Sequence, residues 1–116
     1  MREVDIDGTK LHFARNEKEW REEIEKRYYY DTKYHTIHHI IEVGNTPLLR
    51  LCVENGVKIP MGLHIKQKST SLDERITFQK IIRDMTDKDV WRVLHQIKAV
   101  SMVDPRCTKL VGEQLK

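Results

Sequence analysis

The hydrophobic pattern of this chain changes period along its length, and that change restricts it to a mixed architecture. Val4 and Ile6, then Leu11 and Phe13, alternate with Asp5, Asp7, Lys10 and His12 around Gly8, the period-two pattern of strands with one buried face. If Gly8 and Thr9 form a two-residue loop, Ile6 faces Leu11 and Val4 faces Phe13. Further on, Leu72, Ile76, Phe78, Ile81, Ile82 and Met85 recur at helical spacing, followed by Val90, Val93, Leu94, Ile97 and Val100. A chain carrying both periods reads as α+β.

Capping residues divide the remainder. Asn16 opens a helix expected over 17–30, with acidic Glu17 and Glu19 at its positive end and a thin apolar stripe of Trp20 and Ile24. Asp31 and Thr32 precede a second helix expected over 33–43, closed by Gly44 and Asn45. Thr46 before Pro47 starts a third over 47–55, apolar nearly all round and therefore the most buried. Val57, Ile59, Leu63 and Ile65 then alternate with Lys58, His64 and Lys66 about Pro60 and Gly62, which predicts a basic hairpin over 57–66. Ser71 with Glu74 fits a capping box, and Thr86–Asp89 a similar cap, for two final helices ending near Met85 and Val103. Asp104 and Pro105 break the last one, leaving 104–116 as a short helix or flexible tail.

The expectation is a small single domain over residues 1–116, with an N-terminal hairpin in 1–15. It would hold about five helices and two hairpins that share a small sheet. A length of 116 residues is ample for one core.

Charge narrows the partners only slightly. The net charge of +3 arises from 21 basic and 18 acidic residues, which is too balanced to demand nucleic acid. One local bias stands out: between Glu54 and Asp73 there is no acidic residue, while Lys58, His64, Lys66 and Lys68 lie there. Cys52 and Cys107 have no nearby partner for a metal knuckle or redox pair, so both read as reduced structural thiols. The first residues lack the apolar run of a signal peptide, and no window is apolar enough for a membrane span. These observations point to a cytoplasmic protein with no membrane partner.

The densest chemistry lies between Tyr28 and Glu42, which holds all four tyrosines and three of the six histidines. On a helix, His35, His38, His39 and Glu42 would share an arc of about 100°, with Tyr34, Ile37, Ile40 and Ile41 opposite. Histidines at i and i+4 with a carboxylate at i+7 could place His35, His39 and Glu42 around a divalent metal. The run lacks the glutamate of a His-Glu-x-x-His motif, and a solvated helix face explains it more simply. No phosphate loop, nucleophile elbow or defensible Cys-His pair is present, so the sequence points away from an enzyme and names no cofactor.

Tyrosines beside Arg27 and Lys33 could stack bases while the cations reach phosphates, and alternation would place Lys58, His64, Lys66 and Lys68 on one face of the basic hairpin. The order of helix 33–43, turn, helix 47–55 and basic hairpin resembles winged-helix domains in order and spacing only. Such a resemblance would imply nucleic-acid binding, although the expected recognition helix offers only Arg50, Glu54 and Asn55 to base edges.

The leading expectation is a small non-catalytic binding protein that contacts a phosphate-bearing ligand, most plausibly nucleic acid. Its candidate binding residues are Arg27, Lys33, Tyr34, His35, His39, Lys58, His64, Lys66 and Lys68. The alternative is a protein-interaction module, an inhibitor or adaptor, with the Tyr/His face and Trp20 at its interface. A metal-dependent hydrolase on His35, His39 and Glu42 comes third. A homo-oligomer stays open.

Overall fold

Strands β1 (Arg2–Ile6) and β2 (Thr9–Phe13) form the N-terminal hairpin in the computed structural model, which describes residues 1–28, 33–41, 44, 46–62 and 71–103. Its loop is Asp7-Gly8, not Gly8-Thr9: both residues have positive φ, 51° and 86°, as a type I′ turn requires. Asp5 Oδ1 accepts a hydrogen bond from the Gly8 amide (2.9 Å). Val4 therefore faces Leu11, and Ile6 faces Thr9. The register moves by two residues and keeps its parity, so the apolar face survives, with Val4, Leu11 and Phe13 buried.

Helix α1 (Glu17–Arg27) starts where expected, with the Glu19 amide donating to Asn16 Oδ1 (2.8 Å). It stops short of residue 30, because Tyr28 is already extended. Its narrow stripe is sufficient to anchor it, since Trp20 and Ile24 are both buried.

The middle section corrects the sequence reading. Residues expected as the helix 33–43 contain strand β3 (His35–His39), paired antiparallel with β4 (Gly56–Pro60) from His35↔Pro60 to His39↔Gly56. The expected helix 47–55 is instead two single-turn 3-10 helices, Pro47–Leu49 and Val53–Asn55. The β-branched residues Thr36, Ile37, Ile40 and Ile41 favour extended backbone, and β4 supplies the partner strand. The winged-helix order therefore does not hold over the described residues. Of the expected basic hairpin, 57–60 lie in β4, which pairs with β3, and Met61-Gly62 are helical with no left-handed glycine, not the expected turn; 63–70, the cap at Asp31-Thr32, Glu42 and the tail 104–116 with Cys107 lie outside the described residues.

The two hairpins were expected to share one sheet, yet each sheet has two strands. An isolated bridge between Phe13 and Cys52, extended by the Ala14 amide donating to Leu51 O (2.9 Å), ties the end of β2 to the segment that precedes β4. In place of about five helices, the described residues contain three α-helices: α1, α2 (Leu72–Met85) and α3 (Lys88–Val103). Asp87 caps α3 by accepting from the Asp89 and Val90 amides (2.9 and 3.2 Å). Among the described residues, no helix is long and apolar enough to cross a membrane.

Strand alternation gives the β3–β4 sheet two different faces. Ile37, His39, Gly56 and Lys58 turn toward α1, where Trp20, Ile24 and Val53 form a small core. Val57 and Ile59 turn the other way, into the larger core with Leu11, Phe78, Ile82, Val93 and Leu94. Asn55, fully buried at the entry to β4, ties the connection together: Oδ1 accepts from the Ile41 amide (2.8 Å), and Nδ2 donates to the Ile41 and Leu49 carbonyls (both 3.2 Å).

Candidate functional site

The strand at His35–His39 dissolves the helical polar face on which the sequence reading rested. Four strand steps separate His35 from His39 by about 13 Å, whereas on a helix they would be one turn apart. Two ligands at that separation cannot meet one metal ion at bonds near 2 Å. Among the described residues, no group of three or more His, Cys, Asp or Glu side chains is placed to hold a metal.

Each described candidate has a distinct setting. His39 lies flat on Trp20, with ring centres 4.3 Å apart and planes 11° from parallel, and its Nε2–H donates to Arg50 O (3.1 Å). Trp20 in turn donates Nε1–H to Cys52 O (2.9 Å). His38 meets the edge of Phe78 at 5.4 Å. Lys58, expected on a solvent-facing basic strand, is 1% exposed, and its ammonium pairs with Glu25 Oε2 at 2.6 Å. Arg27 is exposed and pairs with the buried Glu54 carboxylate at 3.5 Å. Lys33 and Tyr34 are exposed as well: Tyr34 is 62% exposed, and the Lys33 ammonium stands 5.5 Å from its ring centre. His35 is half-buried on β3, while His64, Lys66 and Lys68 lie outside the described residues. The described candidates thus do not converge on one surface.

Burial lowers the pKa of His39 from its ordinary value of 6.5, against the opposing effect of its bond to Arg50 O. The folded form thus holds this proton less tightly than the unfolded chain does. The contribution to stability is complete above pH 6.5 and falls as acid protonates the unfolded state, levelling off only below the folded value. Denaturant titrations across this range should show a shallower acid-side loss in His39→Gln than in the native chain. Equal slopes would mean that His39 is not the buried titrating group.

Glu54, also expected to be exposed, forms the hub of a second cluster. Its side chain is 6% exposed, accepts from the His12 amide at both oxygens (3.1 and 2.9 Å), and meets the His12 ring and Arg27. A cleft of about 280 Å³ opens beside it, lined by Arg27, Tyr28, Met85, Thr86, Asp87 and Val90 among others. Its converging polar groups are already committed: Glu54 to His12 and Arg27, Asp87 to the α3 cap. The cluster joins the hairpin to α1. Nearby, burial and the Glu54 carboxylate push the Cys52 thiol far above its usual pKa, which keeps it unreactive.

The helical pair presents a different surface, which the sequence reading missed. Leu72 and Ile76 were expected on the inner side of α2, but they are 69% and 59% exposed, while Phe78 and Ile82 face the core. At 100° per residue, Leu72, Arg75, Ile76, Gln79, Lys80 and Arg83 occupy one flank, whereas Asp73 and Asp84 fall beyond it. Arg75, Ile76, Gln79, Lys80 and Arg83 line an open groove of about 420 Å³, closed on the α3 side by Trp91. The Trp91 ring tilts against His95 at 4.2 Å, and His95 Nδ1 meets the Trp91 carbonyl at 2.9 Å. Among the described residues, the lining contains three cations, an exposed aliphatic residue and an indole, with no carboxylate. The signal was legible: Ile76, Lys80 and Arg83 follow at i, i+4 and i+7 on the side opposite Phe78.

Comparison with protein-family models, curated proteins and solved structures found no match to this chain.

Proposed function

We propose that this protein is a small non-catalytic interaction module that binds a protein partner through the α2–α3 groove. The observation that supports this reading is the company Ile76 keeps. Single exposed aliphatic residues are ordinary on protein surfaces, but Ile76 stands one turn from exposed Leu72, in a groove shared with Trp91 whose lining charges are all positive. Aliphatic and indole surface ringed by arginine and lysine is the composition of an interface centre with a polar rim.

A phosphate-bearing ligand, nucleic acid first, is the second reading, and one observation favours it. Arg75, Lys80 and Arg83 beside the Trp91–His95 ring pair combine cations with a stacking surface. The engagement of Arg27 with Glu54, of His39 with Trp20 and of Lys58 with Glu25 weighs against the site first expected for such a ligand.

Capture from a cell lysate on the immobilised chain, before and after nuclease treatment, separates the two. The expected result is a captured protein that resists nuclease and is lost with Ile76→Glu, a surface substitution that should leave the melting temperature nearly unchanged. Loss of all captured material on nuclease treatment would transfer the function to nucleic acid. Capture that ignores Ile76→Glu would remove the groove from the function.

A further inference from the structure

We infer that the occupant of the α2–α3 groove is an acidic amphipathic helix of a partner protein. This rests on the interaction-module reading and adds the chemistry of the partner.

Shape and spacing favour a helix as the occupant. The groove runs between two helices joined by Thr86-Asp87, and its apolar surface comes from Ile76 on one helix and Trp91 on the other. A helix laid along such a groove offers side chains at i, i+3 or i+4 and i+7 to those anchors, the usual helix-in-groove arrangement. An aliphatic side chain gains by meeting apolar surface and gains nothing from a phosphate backbone, so Leu72 and Ile76 favour a polypeptide over a nucleic acid.

Charge supplies the second argument. Arg75, Lys80 and Arg83 border the groove, and none of the α2 carboxylates, Asp73, Glu74 and Asp84, is among its lining residues. Arg83 reaches Asp84 only at 3.8 Å, with both side chains more than half exposed, a pair that restrains little. A partner bearing Glu or Asp around its apolar stripe complements this positive border, while a basic segment is repelled by it.

The same charge argument disfavours occupants from this chain. The flanking sequences 63–70 and 104–116 bring Lys66, Lys68, Arg106, Lys109 and Lys116 against Asp104 and Glu113, the wrong balance for a basic groove. In a second copy, α1 is the acid-rich candidate. Its carboxylates alternate with bases and are partly committed, Glu17 to Arg21 and Glu23 to Lys26.

The test uses the full chain, isotope-labelled for amide NMR, with three probes. One is a capped peptide of about 15 residues, long enough for helix to form, with leucines on one face and glutamates on the other. The second replaces every glutamate by lysine, and the third is a single-stranded oligonucleotide. The acidic peptide should shift amides within 72–95, and the lysine peptide should bind about tenfold more weakly or not at all. The double variant Lys80→Glu, Arg83→Glu should reverse the order of the two peptides, with an unchanged amide spectrum elsewhere confirming its fold.

Equal binding of the two peptides, shifts centred outside the two helices, or stronger binding of the oligonucleotide at the same residues would each overturn the inference. The failures are separable. Nuclease-resistant capture that needs Ile76, combined with no preference for the acidic peptide, rejects an acidic partner and leaves the module. Capture indifferent to Ile76→Glu rejects the module whatever the peptides do.

Discussion

Replacing Asn55 by alanine is expected to cost about 3 kcal/mol of folding stability, because the buried Ile41 amide and carbonyl lose their partner at once and the Leu49 carbonyl loses one of two. Asn55 is fully buried, and its amide makes three hydrogen bonds to main-chain atoms of Ile41 and Leu49. Alanine would leave the Ile41 amide and carbonyl unpaired where water is largely excluded, while the Leu49 carbonyl keeps the Cys52 amide (3.3 Å). A buried polar group left unpaired costs about 1–3 kcal/mol, well above the net gain of an ordinary hydrogen bond. Asn55→Asp should be nearly as damaging, because it keeps the acceptor for Ile41 but turns a second oxygen toward two carbonyl oxygens. Urea unfolding of both variants provides the measurement. A loss below about 1 kcal/mol for alanine would mean that this bridge does not hold the connection between β3 and β4. Main-chain pairing continues from the same point, where the Ile40 amide donates to Asn55 O (2.8 Å), so the variant should also loosen the His39 end of β3.

Gly56→Ala should destabilise the protein by about 2–3 kcal/mol through overpacking. The backbone there is ordinary extended chain, φ −100° and ψ 139°, so no special conformation demands glycine. Space demands it: a Cβ would stand 2.0 Å from Ile24 Cδ1, 2.9 Å from Ile24 Cγ1 and 3.0 Å from Trp20 Cζ2. Ile24 is completely buried and Trp20 is held by His39 and the Cys52 carbonyl, so neither moves away without disturbing its neighbours. Ile24→Val removes Cδ1, the atom of closest approach. Alone it should cost about 1 kcal/mol, yet in the Gly56→Ala background it should restore stability. Simple addition of the two losses would show that Ile24 is not the obstacle.

These two positions also show where reading the sequence reached its limit. The N-terminal hairpin, the Asn16 cap, α2 and α3 were legible because their signals are local: alternation, a capping side chain, a helical stripe. The segment 35–39 was not. His35, His38 and His39 fall on one helical arc, and that phasing competes with the β-branched content of Thr36, Ile37, Ile40 and Ile41, the one local signal that favours a strand. Its partner β4 lies far along the chain, and pairing with a distant strand leaves no periodic mark at either end. Glu54 and Asn55 read as exposed polar residues for the same reason: their partners, His12, Arg27, Ile41 and Leu49, come together only in the folded chain.

The sequence by itself determined the α+β class, the strands at the N-terminus and the two helices that bear the groove, since each follows from periodicity and capping within a few residues. Which polar groups are drawn into the interior follows from the tertiary packing. It placed Lys58 inside against Glu25, stacked His39 on Trp20 and turned Arg27 to Glu54, while leaving Ile76 and the cations of α2 outside. The physical reason is that a charged or aromatic side chain has no fixed preference for solvent once a buried partner can compensate its desolvation. Whether that partner exists is a property of the fold, not of the local sequence.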